Sequence, residues 1–144
     1  TLKKLPSSKG IWAPCLTWCE SENLFYVVYG VMNSMNAGYF EVDNYLITAS
    51  DIKGPWSEPV YLHSAGFDAS ILHDDDGRKY IVSLEWETRE GYEKPGVISM
   101  SEYNPVKKEI IGYPKHIWRG GTNRGCIEAP HLYKEKRILL YNVR

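Results

Sequence analysis

Short runs of hydrophobic residues alternate with clusters of turn-forming residues along the chain. Five runs, each about one strand long, are rich in β-branched, aromatic and leucine side chains: residues 24–29, 45–49, 79–84, 96–100 and 137–141. Clusters rich in Gly, Pro and Asp lie between them, at 53–55, 74–77 and 120–121. No segment sustains an apolar stripe of helical period over a dozen positions. The pattern therefore predicts an all-β protein.

Three segments share one layout, in which a strand that starts with small residues is followed by a short polar turn and a hydrophobic strand. They begin at Trp12-Ala13-Pro14, Asp68-Ala69-Ser70 and Glu128-Ala129-Pro130, at intervals of 56 and 60 residues. Such a period is typical of a four-stranded blade with its connections. We therefore predict that residues 1–144 form part of one β-propeller domain, with blade-like units that begin near positions 12, 68 and 128.

The repeat also predicts where chemistry would lie. In a propeller the innermost strand of each blade lines the central channel, so residues at equivalent positions of that strand converge on one end of the axis. Here those residues are Trp12, Asp68 and Glu128. Two carboxylates beside a large flat ring are typical of a sugar-binding cleft, where acids act on the glycosidic bond and the ring packs on the sugar.

Composition narrows the set of partners. Aromatic residues make up 13% of the chain, with 11 Tyr and 5 Trp, which fits either a strand-rich core or a sugar-stacking surface. The 17 basic and 18 acidic residues give a net charge of −1, so we expect no nucleic-acid partner. No apolar run approaches the roughly 18 to 20 residues that span a bilayer, and we expect no membrane association.

The cysteines, histidines and acidic clusters bear on localisation and on metal binding. The start of the chain lacks the apolar core of a signal peptide, and an odd number of cysteines (Cys15, Cys19 and Cys126) favours free thiols and a reducing compartment such as the cytoplasm. The four histidines show no metal-ligand spacing. The acidic run at 74–77 lacks the later ligands of a calcium loop and predicts a hairpin turn. We expect no metal and no cofactor; the sequence does not define the oligomeric state.

Several motifs in register resemble glycoside hydrolase family 43, and within it the β-xylosidases and α-L-arabinofuranosidases. The resemblance covers roughly residues 10 to 134 and is carried by Gly10-Ile11-Trp12-Ala13-Pro14, Asn44-Tyr45-Leu46-Ile47-Thr48, the segment 51–60, Gly66-Phe67-Asp68-Ala69-Ser70, the segment 73–80, and Glu128-Ala129-Pro130-His131-Leu132-Tyr133-Lys134. It implies a five-bladed propeller, an inverting mechanism, and a xylo- or arabino-oligosaccharide as the partner of the site.

The same resemblance implies a role for individual residues. Glu128 matches the general acid, and Asp68 matches the carboxylate that orients this acid and tunes its pKa. For Trp12 and Phe67 the resemblance implies contact with the sugar, and Trp86, which follows the second strand of its blade, is expected to reach the cleft and bind substrate as well. Each has a simpler structural interpretation: Asp68 as a turn or capping residue, the aromatic residues as part of the core. If its strand is regular, Phe67 points away from the face that carries Asp68, which favours packing.

The family's third carboxylate, the general base, lies in an Asp-Pro motif of the first blade that has no match in this chain. We therefore expect about three blades, with the first and last absent, and a fragment that is inactive for want of a base. An alternative is a catalytically silent, carbohydrate-binding piece of a propeller. A protein-interaction propeller is a third, which would not require carboxylates at the starts of the blades.

Overall fold

The computed structural model describes residues 9–34, 41–86, 96–119, 127–135 and 138–142. Within these ranges the chain contains β-strands, turns and loops and no helix. The described residues therefore include no helix long and apolar enough to cross a membrane. The strands are β1 (Ile11–Cys19), β2 (Leu24–Ser34), β3 (Glu41–Ala49), β4 (Val60–His63), β5 (Ser70–His73), β6 (Lys79–Trp86), β7 (Gly96–Asn104), β8 (Glu109–Trp118), β9 (His131–Glu135) and β10 (Ile138–Asn142).

The strands form three antiparallel sheets in chain order. Sheet 1 has the order β1-β2-β3-β4, sheet 2 has the order β5-β6-β7-β8, and β9 pairs with β10 in sheet 3. The first strands of the sheets lie side by side, β1 against β5 and β5 against β9, while the outer strands β4 and β8 also contact each other. Sheets that fan out from adjacent first strands are the arrangement of a β-propeller, and the predicted all-β fold is confirmed.

The core lies between the sheets. In β2, Tyr26 and Val28 alternate with residues of the other face and pack on Ile71 and Ile81 of sheet 2. A second cluster joins the opposite face of sheet 2 to the start of sheet 3 and contains Leu72, Val82, Ile98, Ile127 and Leu132. Sheet 2 is therefore apolar on both faces, which explains why its strands read as continuous hydrophobic runs.

The turn at 74–77 is the hairpin that the sequence predicts. The Asp74 backbone N donates to the Arg78 carbonyl at 2.8 Å, and the Gly77 N donates to the Asp74 carbonyl at 3.0 Å. Gly77 has φ 85°, a conformation that glycine adopts readily. The predicted turn at 53–55 is also present, since the Gly54 N donates to the Asp51 carbonyl at 2.8 Å. The glycine pair at 120–121 lies outside the described residues.

Candidate active site

Asp68 lies in a β-bulge at the entry to the first strand of sheet 2. The Leu84 N donates to the Phe67 carbonyl at 3.1 Å, and the next paired residues are Ser70 and Val82. Three steps along one strand thus face two steps along the other. The extra residue is accommodated because Asp68 has φ 55°, a left-handed conformation that Asp tolerates better than most residues. Such bulges re-aim a side chain away from the regular face of a sheet.

The same entry bulge recurs in the other sheets and corrects the alignment of the repeat. Ala13 has φ 41° and lies between the pairs of Trp12 with Gly30 and of Cys15 with Val28, while Ala129, two residues before β9, has φ 52°. By backbone geometry Asp68 therefore aligns with Ala13 and Ala129, and Phe67 aligns with Trp12 and Glu128. The sequence alignment that made Asp68 equivalent to Trp12 and Glu128 was wrong by one residue. That alignment matched the alanine that the three segments share, and a match of residue types does not show strand register.

The structure nevertheless brings the two carboxylate-bearing segments together. Asp68 Oδ2 accepts a hydrogen bond of 3.1 Å from the backbone N of Ala129, the residue next to Glu128. Two positions later, the buried Ser70 hydroxyl donates to the Pro130 carbonyl at 2.6 Å. The backbone on the C-terminal side of Glu128 is thus fixed to sheet 2 at two consecutive residues.

The Glu128 side chain is exposed, although the residues around it are not. Ile127 is 7% exposed and belongs to the core between sheets 2 and 3, and Pro130 is also buried. A glutamate on a backbone held this way projects from a fixed point into open space. This geometry allows Glu128 to reach a ligand without unfolding its surroundings.

The electrostatic environment of Asp68 couples it to the segment around Glu128. Burial raises the pKa of Asp68, and the charge of Glu128 raises it further, while the hydrogen bond from Ala129 and the proximity of His131 act in the opposite direction, with a net increase. Asp68 therefore responds to the charges on both sides of Ala129. The sequence does not show that His131 lies near Asp68, because the two residues are brought together only by the fold.

The three aromatic residues that the sequence predicts for the site form one cluster. The Phe67 ring lies between two tryptophans, with ring centroids 6.2 Å from Trp12 in an edge-on arrangement and 5.4 Å from Trp86. Phe67 is 4% exposed and packs in a core cluster with Met32, Val42 and Leu84. The two tryptophans are only half-buried. Phe67 is thus the buried member of the cluster, whereas Trp12 and Trp86 have exposed ring surface that a ligand can contact.

Two further sets of residues are the possible metal ligands and the cysteines. No group of three His, Cys, Asp or Glu side chains in the described ranges could hold a metal ion. Cys15 and Cys19 are free thiols, and burial raises the pKa of Cys15. Cys126 lies outside the described residues.

Comparison with known proteins identifies the family. The model of the glycosyl hydrolases family 43 matches residues 2–140. The chain belongs to this family. Its structural neighbours in the family are five-bladed β-propellers, in agreement with the fan of sheets described above.

The chain is similar in sequence to xylosidases of bacteria and fungi. It is 42% identical over 132 residues to a protein of Bacillus subtilis named beta-xylosidase, a match over 92% of this chain and 24% of the relative. It is 40% identical to xylosidase/arabinosidase 43B of Humicola insolens, over 90% of this chain and 23% of the relative. The chain thus spans about a quarter of the length of these curated relatives.

A solved structure shows the same arrangement. The crystal structure of xylan beta-1,4-xylosidase from Bacillus halodurans C-125 superposes with a TM-score of 0.85 at 40% identity. The match covers 95% of this chain and 26% of that one. Sheets 1 and 2 and the described strands of sheet 3 therefore follow the course of the chain in a family 43 propeller.

Proposed function

We propose that the protein hydrolyses O-glycosidic bonds of xylose- or arabinose-containing plant glycans by an inverting mechanism. Glu128 acts as the general acid, and Asp68 orients it. The observation that carries the proposal is the hydrogen bond from the Ala129 N to Asp68 Oδ2, which fixes the backbone beside an exposed glutamate. Family membership and relatives named as xylosidases or xylosidase/arabinosidases support this class of substrate.

In this mechanism Glu128 protonates the glycosidic oxygen as the bond to the departing group breaks. Trp12 and Trp86 contact the sugar ring, and Phe67 holds the two rings in place. Inversion also needs a carboxylate base on the other side of the sugar, roughly 6.5 to 9.5 Å from the acid, so that a water fits between them. We assign no residue of this chain to that role, and we expect residues 1–144 alone to show no turnover.

The proposal is tested with the full-length protein and two aryl glycosides, a β-xyloside and an α-L-arabinofuranoside. We expect hydrolysis of at least one, with the first-formed sugar released in the inverted anomeric configuration, as followed by NMR. Glu128→Gln should lower kcat/KM for phenyl glycosides by about 10²-fold or more, the range for loss of a positioned acid. Glu135→Gln, an exposed glutamate of β9, is the matched control and should leave kcat/KM unchanged.

Two outcomes would contradict the proposal. Retention of configuration would exclude the inverting mechanism, and full activity of Glu128→Gln would remove Glu128 from the role of acid. Binding of xylo-oligosaccharides by the full-length protein without any turnover would instead support the carbohydrate-binding alternative.

A further inference from the structure

A fully buried asparagine ties sheet 1 to the segment that carries Asp68. Asn44 lies in β3 and is 0% exposed. Its amide nitrogen donates two hydrogen bonds, one of 3.2 Å to the His63 carbonyl and one of 2.8 Å to the Gly66 carbonyl. Both acceptors belong to the end of β4 and the connection that follows it, and Gly66 is two residues before Asp68.

The connection that Asn44 holds has no room to move towards sheet 2. Residues 65–67 run along the end of β6, where the Trp86 N donates to the Ala65 carbonyl and the Leu84 N to the Phe67 carbonyl, both at 3.1 Å. A Cβ on Gly66 would lie 1.9 Å from the Leu84 carbonyl oxygen. The backbone at 66 is therefore pressed against β6 on one side and held by the Asn44 amide on the other.

The orientation of the Asn44 amide is unambiguous. Reversing it would direct Oδ1 at two carbonyl oxygens, so the nitrogen must face the connection. In the observed orientation the buried Oδ1 has no hydrogen-bond partner among the described residues. A buried acceptor without a partner costs about 1 to 3 kcal/mol. Local violations of this kind are expected where a residue serves a site rather than stability.

We propose that Asn44 is a positioning residue for the general acid. By fixing the Gly66 carbonyl it fixes the bulge that presents Asp68, and through the hydrogen bond between Asp68 and the Ala129 N it fixes the backbone that carries Glu128. The three sheets are thereby connected in series, from Asn44 in sheet 1 through Asp68 in sheet 2 to the start of sheet 3. This inference rests on the proposed role of Glu128 as the acid.

The test compares two substrates that differ in their need for a proton. A dinitrophenyl β-xyloside releases a weakly basic group that leaves without protonation, whereas a phenyl β-xyloside depends on the acid. The quantity measured is the ratio of kcat/KM for the first substrate to kcat/KM for the second, in the full-length protein. This ratio does not change with the fraction of enzyme that is folded, because both values scale with it.

We expect Asn44→Ala to raise the ratio about 10-fold, a part of the ~10²–10⁴-fold that a positioned acid contributes. Asn44→Asp keeps the size of the side chain but removes the amide donors, and it should raise the ratio as well. It serves as the second variant if Asn44→Ala folds poorly. The matched control is Asn104→Ala. Its Oδ1 accepts hydrogen bonds of 2.9 Å from the Val106 N and the Lys107 N, so the variant also loses two side-chain bonds to a loop. It should leave the ratio unchanged.

The outcomes separate this inference from the proposed function. If Glu128→Ala raises the ratio but both Asn44 variants lower the two kcat/KM values equally, Asn44 only stabilises the fold and the inference is overturned. If Glu128→Ala itself leaves the ratio unchanged, Glu128 is not the acid, and the proposed function fails together with the role of Asn44.

Discussion

At the scale of single residues, Asp68 shows how the candidate site opposes stability. Its carboxylate is half-buried, its backbone is left-handed, and its pKa is raised, chiefly by burial. An acid whose pKa is higher in the folded than in the unfolded protein binds its proton more tightly when folded. The free energy of unfolding therefore falls as the pH rises from the unfolded pKa to the higher folded pKa, and stays reduced above it.

Replacing Asp68 by Asn should stabilise the protein while impairing catalysis. The amide cannot ionise, its oxygen can still accept the hydrogen bond from the Ala129 N, and Asn also tolerates the left-handed backbone. We expect Asp68→Asn to increase the free energy of unfolding at pH 7 by about 0.5 to 1 kcal/mol. Denaturant unfolding at pH 7 and at pH 3 measures this, and the gain should shrink at pH 3, where Asp68 is protonated.

The control for this prediction is Asp51→Asn. Asp51 Oδ1 also accepts one backbone hydrogen bond, 2.8 Å from the Lys53 N, but it lies in an exposed turn. Its replacement should change the free energy of unfolding by less than about 0.5 kcal/mol. A loss of stability in Asp68→Asn at pH 7 would show that the Asp68 charge is stabilised by its surroundings, contrary to the direction of its pKa shift.

At the scale of elements, the connection between β4 and β5 depends on the absence of a side chain at Gly66. Gly66→Ala should lower the free energy of unfolding by about 3 kcal/mol or more, because the new methyl group meets the Leu84 backbone, which cannot yield without disturbing β6. Gly77→Ala is the comparison. That position has φ 85° and open space around it, so only backbone strain of about 1 kcal/mol is expected. Equal losses in thermal or denaturant unfolding would contradict the close packing at Gly66.

An ion pair connects the β1–β2 turn of sheet 1 to the start of β6. The Nζ of Lys79, which is 1% exposed, lies 2.7 Å from Glu22 Oε1 and 5.5 Å from the centre of the Tyr26 ring. Burial alone would raise the pKa of Glu22, but the hydrogen bonds from Lys79 and Tyr26 outweigh it and lower the pKa. A carboxylate with a lowered folded pKa stabilises the protein above its unfolded pKa, and this contribution is lost as the pH falls through the folded value.

Removing one partner of this pair should lower the free energy of unfolding more than removing both. Glu22→Gln leaves the Lys79 charge buried without its counter-ion and should lower the free energy of unfolding at pH 7 by about 2 to 4 kcal/mol. The double variant Glu22→Gln with Lys79→Met should recover most of that loss. The difference between Glu22→Gln and the parent should shrink in acid, as the pH falls below 4.5, the ordinary pKa of the carboxyl group.

A solvent-exposed ion pair provides the control for this prediction. Lys107 and Glu109 are 3.8 Å apart with exposed side chains, and Glu109→Gln should change the free energy of unfolding by less than about 0.5 kcal/mol. A double variant as unstable as Glu22→Gln would show that Lys79 contributes through packing rather than through its charge.

Much of the secondary structure was predictable from the sequence, because strands with a buried face are hydrophobic runs in the sequence. All five predicted runs lie in or overlap observed strands, namely β2, β3, β6, β7 and β10. β4 and β8 were not predicted. β4 has only four residues, and β8 is largely exposed and contains a glycine and a proline, so neither has a continuous apolar signal.

The candidate site was predictable in its residues but not in its geometry. The spacing of the repeat and the family motifs singled out Asp68, Glu128 and the three aromatic residues. The entry bulge was missed because a left-handed residue other than Gly leaves little trace in sequence. Asn44 was part of a motif without a role, since its two hydrogen bonds join β3 to carbonyls 19 and 22 residues away along the chain.

At the scale of the whole molecule, stability is shared between sheets rather than contained in each. The cluster between sheets 1 and 2 includes Leu46 of β3, which is 1% exposed, together with residues of β5, β6 and β7. A sheet that lost its neighbour would expose this cluster to water. We therefore expect sheets 1 and 2 to unfold as one cooperative unit.

Hydrogen exchange measured peptide by peptide in the full-length protein tests this cooperativity. Leu46→Ala should lower the free energy of unfolding by about 2 to 5 kcal/mol and should reduce protection in β6 and β7 as much as in β2 and β3, because these strands share the cluster that it weakens. The neighbouring Ile47 alternates to the other face of β3, away from sheet 2, so Ile47→Ala should have a smaller effect on β6 and β7 than on sheet 1. Loss of protection confined to β2 and β3 in Leu46→Ala would mean that each sheet opens independently. The link from Asn44 through Asp68 to Ala129 would then join units that fluctuate separately, and it could not hold the acid at a fixed distance from the sugar.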